Sequence, residues 1–153
     1  MAKILIATYS WSGQTQRVAD QIHSLVPDAA VFSIEVAGDT FDSDMYKTDA
    51  IATQQIQRGQ YPALINPVPD GSAYDLVLVG SPVWRGRPAT PIHTFLKNLN
   101  GFKGAVASFY TDAGSAGDYE TVFKEWADGL TVLPGHEGST GLQDWLNQLQ
   151  QKI

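Results

Sequence analysis

Short apolar runs alternate along the chain with longer segments in which apolar residues recur every three or four positions. Continuous apolar runs over residues 3–7, 74–80 and 104–110 are typical of strands buried on both faces of a parallel sheet. Residues 29–36 and 130–133 predict two further strands. Of these five predicted strands, 74–80 is the clearest, because its apolar run ends abruptly at Gly-Ser-Pro.

Helical spacing fills most of the intervals between the runs. A polar connection over 38–72 contains a predicted helix over 47–57 and is broken afterwards by repeated Pro and Gly. The other predicted helices carry apolar residues about one turn apart: Val18, Ala19, Ile22, Leu25 and Val26; Ile92, Phe95, Leu96 and Leu99; Tyr119, Val122, Phe123 and Trp126; Leu142, Trp145, Leu146 and Leu149. Strands that alternate with helices predict a doubly wound α/β fold, a parallel sheet covered by helices on both faces. At 153 residues we expect a single domain over 1–153.

The charge and composition of the chain exclude or disfavour several classes of function. The formal net charge of −6 disfavours binding to nucleic acid or to an anionic membrane. No cysteine is present, which excludes disulfides, thiolate-ligated iron–sulfur clusters, cysteinyl flavin and thiol catalysis, so redox chemistry would need a bound organic cofactor. No apolar run approaches the length of a membrane span, and residues 4–7 are too short for a signal-peptide core. We therefore expect a cytoplasmic location.

The first predicted strand enters its helix through residues 8–15, Thr-Tyr-Ser-Trp-Ser-Gly-Gln-Thr, which offer the hydroxyls of Ser10, Ser12 and Thr15 and one glycine, Gly13. A helix start exposes N–H groups and the positive end of the helix dipole, and it attracts phosphate. The loop has neither the lysine of a nucleotide-triphosphatase loop nor the three glycines of a dinucleotide loop. These features predict a site for a phosphate monoester that is held and not transferred. The alternative is that a serine merely caps the helix.

Two further loops follow the third and fourth predicted strands. Residues 81–88 place Trp84 directly after a strand between two prolines, and residues 111–117 are small and rich in exposed backbone. In a doubly wound sheet, ligands bind at the carboxyl ends of strands where the strand order reverses. A phosphate loop, an aromatic side chain that could stack on a ring, and open backbone amides together suit a planar heterocycle on a phosphorylated polyol, the shape of FMN.

These segments resemble the flavodoxin family. Thr-Tyr-Ser-x-Ser-Gly-x-Thr over 8–15 resembles the family's phosphate loop, and residues 74–84 resemble its third strand and first flavin loop. Residues 91–96 and the 111–117 loop continue the match, so the resemblance runs essentially end to end. It implies a five-stranded parallel sheet in the order 2-1-3-4-5 with non-covalently bound FMN.

The resemblance also implies the cofactor-binding residues. The phosphate would be held by Ser10, Ser12, Gly13, Gln14 and Thr15, and Trp11 at the loop tip would lie beside the ribityl chain or face a partner. Along the isoalloxazine would lie Pro82, Val83, Trp84, Arg85 and Gly86. Its other border would be lined by Thr111, Asp112, Gly114 and Ser115. In this family a backbone carbonyl of the second loop rotates toward the flavin N5 on reduction. Gly86 could permit that rotation here.

Arg85 departs from the family pattern, in which a second aromatic residue is frequent. A cation near the flavin would favour the anionic fully reduced form, so Arg85 predicts an easier second reduction step than in a strongly acidic flavodoxin. A solvated Arg85 is the alternative. Asp42, Asp44 and Asp49 are expected to form a solvated acidic face, with a docking patch as the other interpretation.

The favoured function is electron transfer between redox partner proteins, with the flavin carrying the chemistry and no catalytic side chain. The alternative is a small FMN-dependent NAD(P)H:quinone reductase, similar to the Trp-repressor-binding-protein group, for which Arg85 and Arg87 would help hydride acceptance. The three histidines, His23, His93 and His136, lack metal-binding spacing, and we predict no metal site.

Overall fold

The computed structural model describes residues 2–99, 101–111 and 116–153 and forms the predicted alternation of strands and helices. The helices are α1 (Gln14–Leu25), α2 (Met45–Arg58), α3 (Thr90–Lys97), α4 (Tyr119–Trp126) and α5 (Leu142–Gln150). The strands are β1 (Ile4–Thr8), β2 (Ala30–Ser33), β3 (Leu76–Trp84), β4 (Arg87–Pro88), β5 (Ala105–Thr111), β6 (Thr131–Val132) and β7 (His136–Glu137). A short 3₁₀ turn, Gly71–Ala73, precedes β3.

The main path of the sheet is β2-β1-β3-β5-β6, and all of its neighbours are parallel. This is the predicted order 2-1-3-4-5, because the two-residue β4 pairs only with β3, as an antiparallel partner. The predicted α/β fold with a parallel sheet is therefore confirmed. Order reverses between β1 and β3, which places the crevice above these two strands.

Helices cover both faces of the sheet, as the two apolar clusters show. On one face the strand residues Leu5, Val77, Val79 and Val106 pack with helix residues that include Phe95. On the other face the buried partners come from α1 and α5: Ile4, Ile6, Leu76, Leu78, Ala105 and Ala107 pack with Val18, Ala19, Ile22, Leu142, Trp145, Leu146 and Leu149. β3 runs through the middle, and its residues 76–79 are fully buried. Such continuous burial explains why β3 lacks alternating polarity.

Three sequence-based boundaries are wrong. The second strand covers only Ala30–Ser33 of the predicted 29–36. The third strand does not stop at Gly80 but continues to Trp84, so that residues 81–88 form a hairpin and not a loop. The fifth strand, predicted over 130–133, is reduced to Thr131–Val132. After an interruption at 133–135 it is followed by β7, which pairs with β5.

The misplaced end of β3 has a physical reason. Gly-Ser-Pro is ordinarily a turn signal. Here Gly80 is required by packing, since a Cβ built on it lies 2.4 Å from the ring of Phe109. The Ser81 hydroxyl then accepts a hydrogen bond from the N–H of Ala89, at 2.9 Å, and donates to the carbonyl of Pro82. The Ser81 side chain thus supports the hairpin that follows.

We expect Gly80→Ala to lower the free energy of unfolding by about 1–3 kcal/mol, because the added methyl group overpacks against a fully buried aromatic ring. Gly38→Ala is the matched control, since nothing lies within 4 Å of a Cβ at Gly38 and its φ is not positive. Urea denaturation of both variants measures the difference. Equal stability of the two variants would contradict the packing account.

Candidate functional site

The carboxyl ends of β1, β3 and β5 lie side by side, so three connecting segments meet at one edge of the sheet. Thr8 of β1 pairs with Gly80 of β3, and Pro82 of β3 pairs with Thr111 of β5. The Thr15 and Thr111 hydroxyls, one at the start of α1 and the other at the end of β5, are 2.8 Å apart. The structure therefore brings together the predicted phosphate loop, the hairpin and the start of the third loop.

The start of α1 combines a side-chain cap with open backbone donors. The Ser10 hydroxyl accepts from the N–H groups of Gly13, at 3.1 Å, and Gln16, at 3.3 Å. Ser10 therefore acts as a cap, as the alternative interpretation proposed. Gly13 itself occupies the N-cap in a left-handed conformation, with φ 94°, and supplies no side-chain cap. In the described part of the chain, the N–H groups of Gln14 and Thr15 have no hydrogen-bond partner, so they remain open to an anion.

Thr8 is a polar residue that the sequence analysis did not select. Its side chain is only 3% exposed, and its Oγ1 is buried without a hydrogen-bond partner. An unsatisfied buried hydroxyl costs about 1–3 kcal/mol, so Thr8 Oγ1 at the end of β1 is a group that a bound polar molecule or water would satisfy. The sequence signals were a threonine at the end of an otherwise apolar strand and its place as the first residue of the 8–15 motif.

The hairpin after β3 turns through Arg85 and Gly86, with φ values of 53° and 71°. Two successive positive φ values are typical of the tight type I′ turn between antiparallel strands. A Cβ built on Gly86 lies 3.5 to 3.7 Å from backbone atoms of residues 116–118, so the hairpin tip touches the end of the third loop. The tip therefore borders the site on the side of β5.

Trp84 does not present an open aromatic face. Its side chain is 6% exposed and makes edge-on contacts with Tyr9, Trp11 and Phe41, with ring centroids 5.8, 6.5 and 4.9 Å away. The β3 ladder carries the side chain into an aromatic cluster, and stacking of the indole on a ring ligand stays a prediction. Trp11 is half-buried, and its Nε1 donates to the carbonyl of Asp42 at 3.0 Å.

The two arginines of the hairpin contact α2. Arg85, 68% exposed, forms an ion pair with the carboxylate of Asp49, which is 20% exposed. Arg87 makes a long contact, 3.4 Å, with the hydroxyl of Thr53. Arg85 is therefore largely solvated, as the alternative interpretation proposed, and its charge is opposed by the Asp49 carboxylate.

The expected acidic face also has structural roles. Asp44 caps α2 by accepting from the N–H groups of Tyr46 and Lys47. Asp42 accepts from the N–H of Asp44, and its backbone is tied to the hydroxyl of buried Thr48. With Asp49 paired to Arg85, all three carboxylates of the predicted patch have partners, so the patch is more than a solvated surface.

Asp112, Gly114 and Ser115, predicted to line one border of the cofactor, lie outside the described residues. Pro82 and Val83 are half-buried, and Gln14 and Ser12 are exposed.

A cleft of about 520 Å³ opens beside the phosphate loop, between Ser10, Trp11 and Gly13 on one side and residues 33–43 on the other. A larger cavity, about 860 Å³, surrounds Lys103 at the opposite edge of the sheet, away from the three loops.

Within the described ranges no cluster of His, Asp or Glu could hold a metal ion. Two of the histidines have packing partners: His93 stacks on Tyr61 with ring centroids 3.5 Å apart, and His136 stacks on Trp145.

No helix in the described part of the chain is long and apolar enough to cross a membrane.

Three tyrosines near the site have pKa values above the ordinary value for tyrosine. Burial raises the pKa of Tyr9 to about 12. Burial raises the pKa of Tyr110, whose hydroxyl also donates to Glu120 at 2.7 Å, and it raises the pKa of fully buried Tyr119. All three phenols therefore stay protonated at neutral pH and act as neutral packing or donor groups.

The shifted pKa of Tyr9 predicts alkaline destabilisation. Since its pKa is about 12 in the folded protein and near 10 in the unfolded chain, the unfolded chain loses the proton first, and stability falls between pH 10 and 12. Tyr9 alone should cost about 1 kcal/mol by pH 11. Urea denaturation from pH 9 to 11 should show a shallower fall for Tyr9→Phe than for the wild type. Tyr46→Phe, at a position 88% exposed, is the control and should leave the pH dependence unchanged.

Comparison with known proteins agrees with the geometry. A family model described as flavodoxin matches residues 3–149. The structure is similar to that of a flavoprotein from Lactobacillus acidophilus NCFM in complex with FMN, at 43% identity and a TM-score of 0.88, over 95% of this chain and 99% of that one. It is also similar to the apo-form of the flavoprotein from that organism, determined by NMR, at 44% identity and a TM-score of 0.76, over 95% and 97% of the two chains.

A more distant likeness concerns the fold alone: two-electron reduced flavodoxin from Megasphaera elsdenii, at 18% identity and a TM-score of 0.53, over 90% of this chain and 88% of that one. A comparison with curated protein sequences finds no match. The family match spans nearly the whole chain and coincides with the order of strands, the open start of α1 and the three segments gathered above β1, β3 and β5. The chain belongs to the flavodoxin family.

Proposed function

We propose that this protein binds FMN non-covalently and passes electrons between redox partner proteins. The observation that carries the proposal is the start of α1. Its N–H groups at Gln14 and Thr15 have no partner among the described residues, and they belong to a loop that also offers the hydroxyls of Ser10, Ser12 and Thr15. Such a loop suits a dianionic phosphate monoester that is held by hydrogen bonds without a lysine. The FMN complex of the 43% identical Lactobacillus relative supports the same ligand.

FMN would supply the redox chemistry, and the residues of this chain would bind and orient it. The open N–H groups of α1 would hold the phosphate, and the Thr15–Thr111 contact joins the phosphate loop to the end of β5. The ring would be bordered from the hairpin by Pro82, Val83 and the backbone of Gly86.

Electron transfer is favoured over quinone reduction by the two arginines. The NAD(P)H:quinone reductase alternative gains support only if Arg85 or Arg87 offers a cation to the flavin or to a nucleotide. Arg85 is paired with Asp49, and Arg87 contacts Thr53, so both side chains are directed to α2. A cytoplasmic location and electron transfer with redox partner proteins stay predictions.

The phosphate assignment is tested with FMN and riboflavin, which differ only in the phosphate. We expect Thr15→Val to weaken FMN binding roughly tenfold to a hundredfold, the loss of a charge-assisted hydrogen bond worth ~1.5–3 kcal/mol, and to weaken riboflavin binding much less. Isothermal titration calorimetry measures both affinities.

Thr111→Val is the matched control, because it removes the other hydroxyl of the same pair and leaves Thr15 in place. It should affect the two ligands equally. If Thr15→Val also weakens both equally, Thr15 serves only to tie the loops and does not contact phosphate.

The choice between carrier and enzyme is tested kinetically. An electron carrier should oxidise NADH or NADPH slowly even with a quinone acceptor, and it should accept electrons rapidly from a reduced protein partner such as a ferredoxin reductase. Stopped-flow absorbance of the FMN-loaded protein follows both reactions. Rapid multiple turnover with a nicotinamide nucleotide and a quinone would establish the reductase instead.

A further inference from the structure

Arg85 holds an unusual backbone conformation at the tip of the hairpin. Among the described residues it is the one non-glycine with a positive φ, 53°, in a position where Gly or Asn is preferred. A long side chain in this conformation is strained, and such strain persists only where surrounding contacts hold it. The question is which contact holds Arg85.

Asp49 provides that contact from a fixed position. The salt bridge joins Asp49 Oδ2 to Nη2 of Arg85 at 2.5 Å, and the other carboxylate oxygen, Oδ1, is buried without a hydrogen-bond partner. The carboxylate therefore has Arg85 as its one partner in the described part of the chain. Since the Arg85 side chain is 68% exposed, the ion pair adds little to overall stability, and its effect is on the position of the hairpin tip and on the local charge.

The start of α2 holds Asp49 in place. The Asp44 side chain caps the helix, and the Thr48 hydroxyl, beside Asp49 in sequence, donates to the carbonyl of Asp42 at 2.6 Å. The cap and this hydrogen bond fix the first turn from which Asp49 projects. On the opposite side, the tip residue Gly86 touches the backbone of residues 116–118. The hairpin tip is thus held between an anchored helix and the end of the third loop.

We propose that Asp49 is a positioning residue of the cofactor site, which acts through its ion pair with Arg85. The pair holds the hairpin tip in its left-handed turn, and it cancels the charge of Arg85 at the edge of the site. This inference rests on the proposed FMN-binding function, and it assigns control of the flavin's second reduction step to a residue of α2 that lies outside the three cofactor loops. Asp49, and not Arg85 alone, then sets the charge that the ring meets at the tip.

Asp49→Asn leaves the charge of Arg85 uncompensated, which favours the fully reduced anionic flavin. We expect the ratio of fully reduced to one-electron-reduced flavin at a fixed electrode potential to rise about three- to tenfold, where tenfold corresponds to about 59 mV for a one-electron step. Spectroelectrochemistry of the FMN-loaded protein measures this ratio. Asp39→Asn, which removes the same charge from an exposed position of the same segment, should change it by less than twofold.

A double-mutant cycle separates action through Arg85 from a direct effect of the carboxylate. In an Arg85→Gly background, which accepts the positive φ without the cation, Asp49→Asn should have a smaller effect than in the wild type, because only the direct field of the carboxylate remains. An equal effect of Asp49→Asn with and without Arg85 overturns the proposal, as does the absence of any effect in the wild-type background.

The backbone part of the proposal is tested without cofactor. In amide NMR spectra of the FMN-free protein, Asp49→Asn should shift or broaden the Gly86 resonance, and Asp39→Asn should not. If the wild-type protein fails to bind FMN, the proposed function fails, but this measurement still tests the pairing. An unchanged Gly86 resonance in Asp49→Asn would show that the ion pair does not hold the tip.

Discussion

Backbone pairing of β3 with β1 on one side and β5 on the other is the constraint on which the site depends. The register places Thr8 beside Gly80 and Pro82 beside Thr111, so that three chain segments far apart in sequence leave the sheet at the same edge. The pairing is supported by residues 76–79, which are fully buried between two helical layers. A slip of one residue would turn these side chains to the opposite faces, so the packing that stabilises the core also fixes the geometry of the site.

Several features of the site are unfavourable for the stability of the ligand-free protein. The Thr8 hydroxyl is buried without a partner, the first N–H groups of α1 are open, and Arg85 is strained at the hairpin tip. Each feature is unfavourable by itself, and each lies at the edge where the three segments meet. Stable folds tolerate such features where binding later satisfies them, whereas elsewhere selection for stability would remove them.

The sequence was most informative where local pattern and tertiary structure agree. Residues 119–126 were predicted and observed as α4, because apolar spacing alone defines a helix that packs on a sheet. The strand order, in contrast, came from the family resemblance, since periodicity carries no information on which strands are neighbours. The phosphate loop was found from its hydroxyls, but the cap formed by Ser10 and the free hydroxyl of Thr8 depend on distances that no pattern encodes.

Where the sequence-based interpretation and the structure differ, a residue type that usually indicates one local structure has a different role here. Gly80 looked like a turn residue, although the ring of Phe109 is what excludes a side chain there. Trp84 was expected directly after a strand, although β3 extends to this residue and its side chain packs among other aromatic rings. Asp49 looked like one of several surface acids, because the contact of α2 with the hairpin links residues more than thirty positions apart.

The interrupted edge beyond β5 has a consequence for association between molecules. An edge strand normally offers a row of free N–H and C=O groups on which another chain can add a strand. Here that row is divided into two stretches of two residues, β6 and β7, separated by Leu133, Pro134 and Gly135. Proline lacks an N–H, and the Gly135 N–H is already donated to Glu120. An incoming strand would find too few consecutive partners, and this side of the sheet is thereby guarded against edge-to-edge polymerisation.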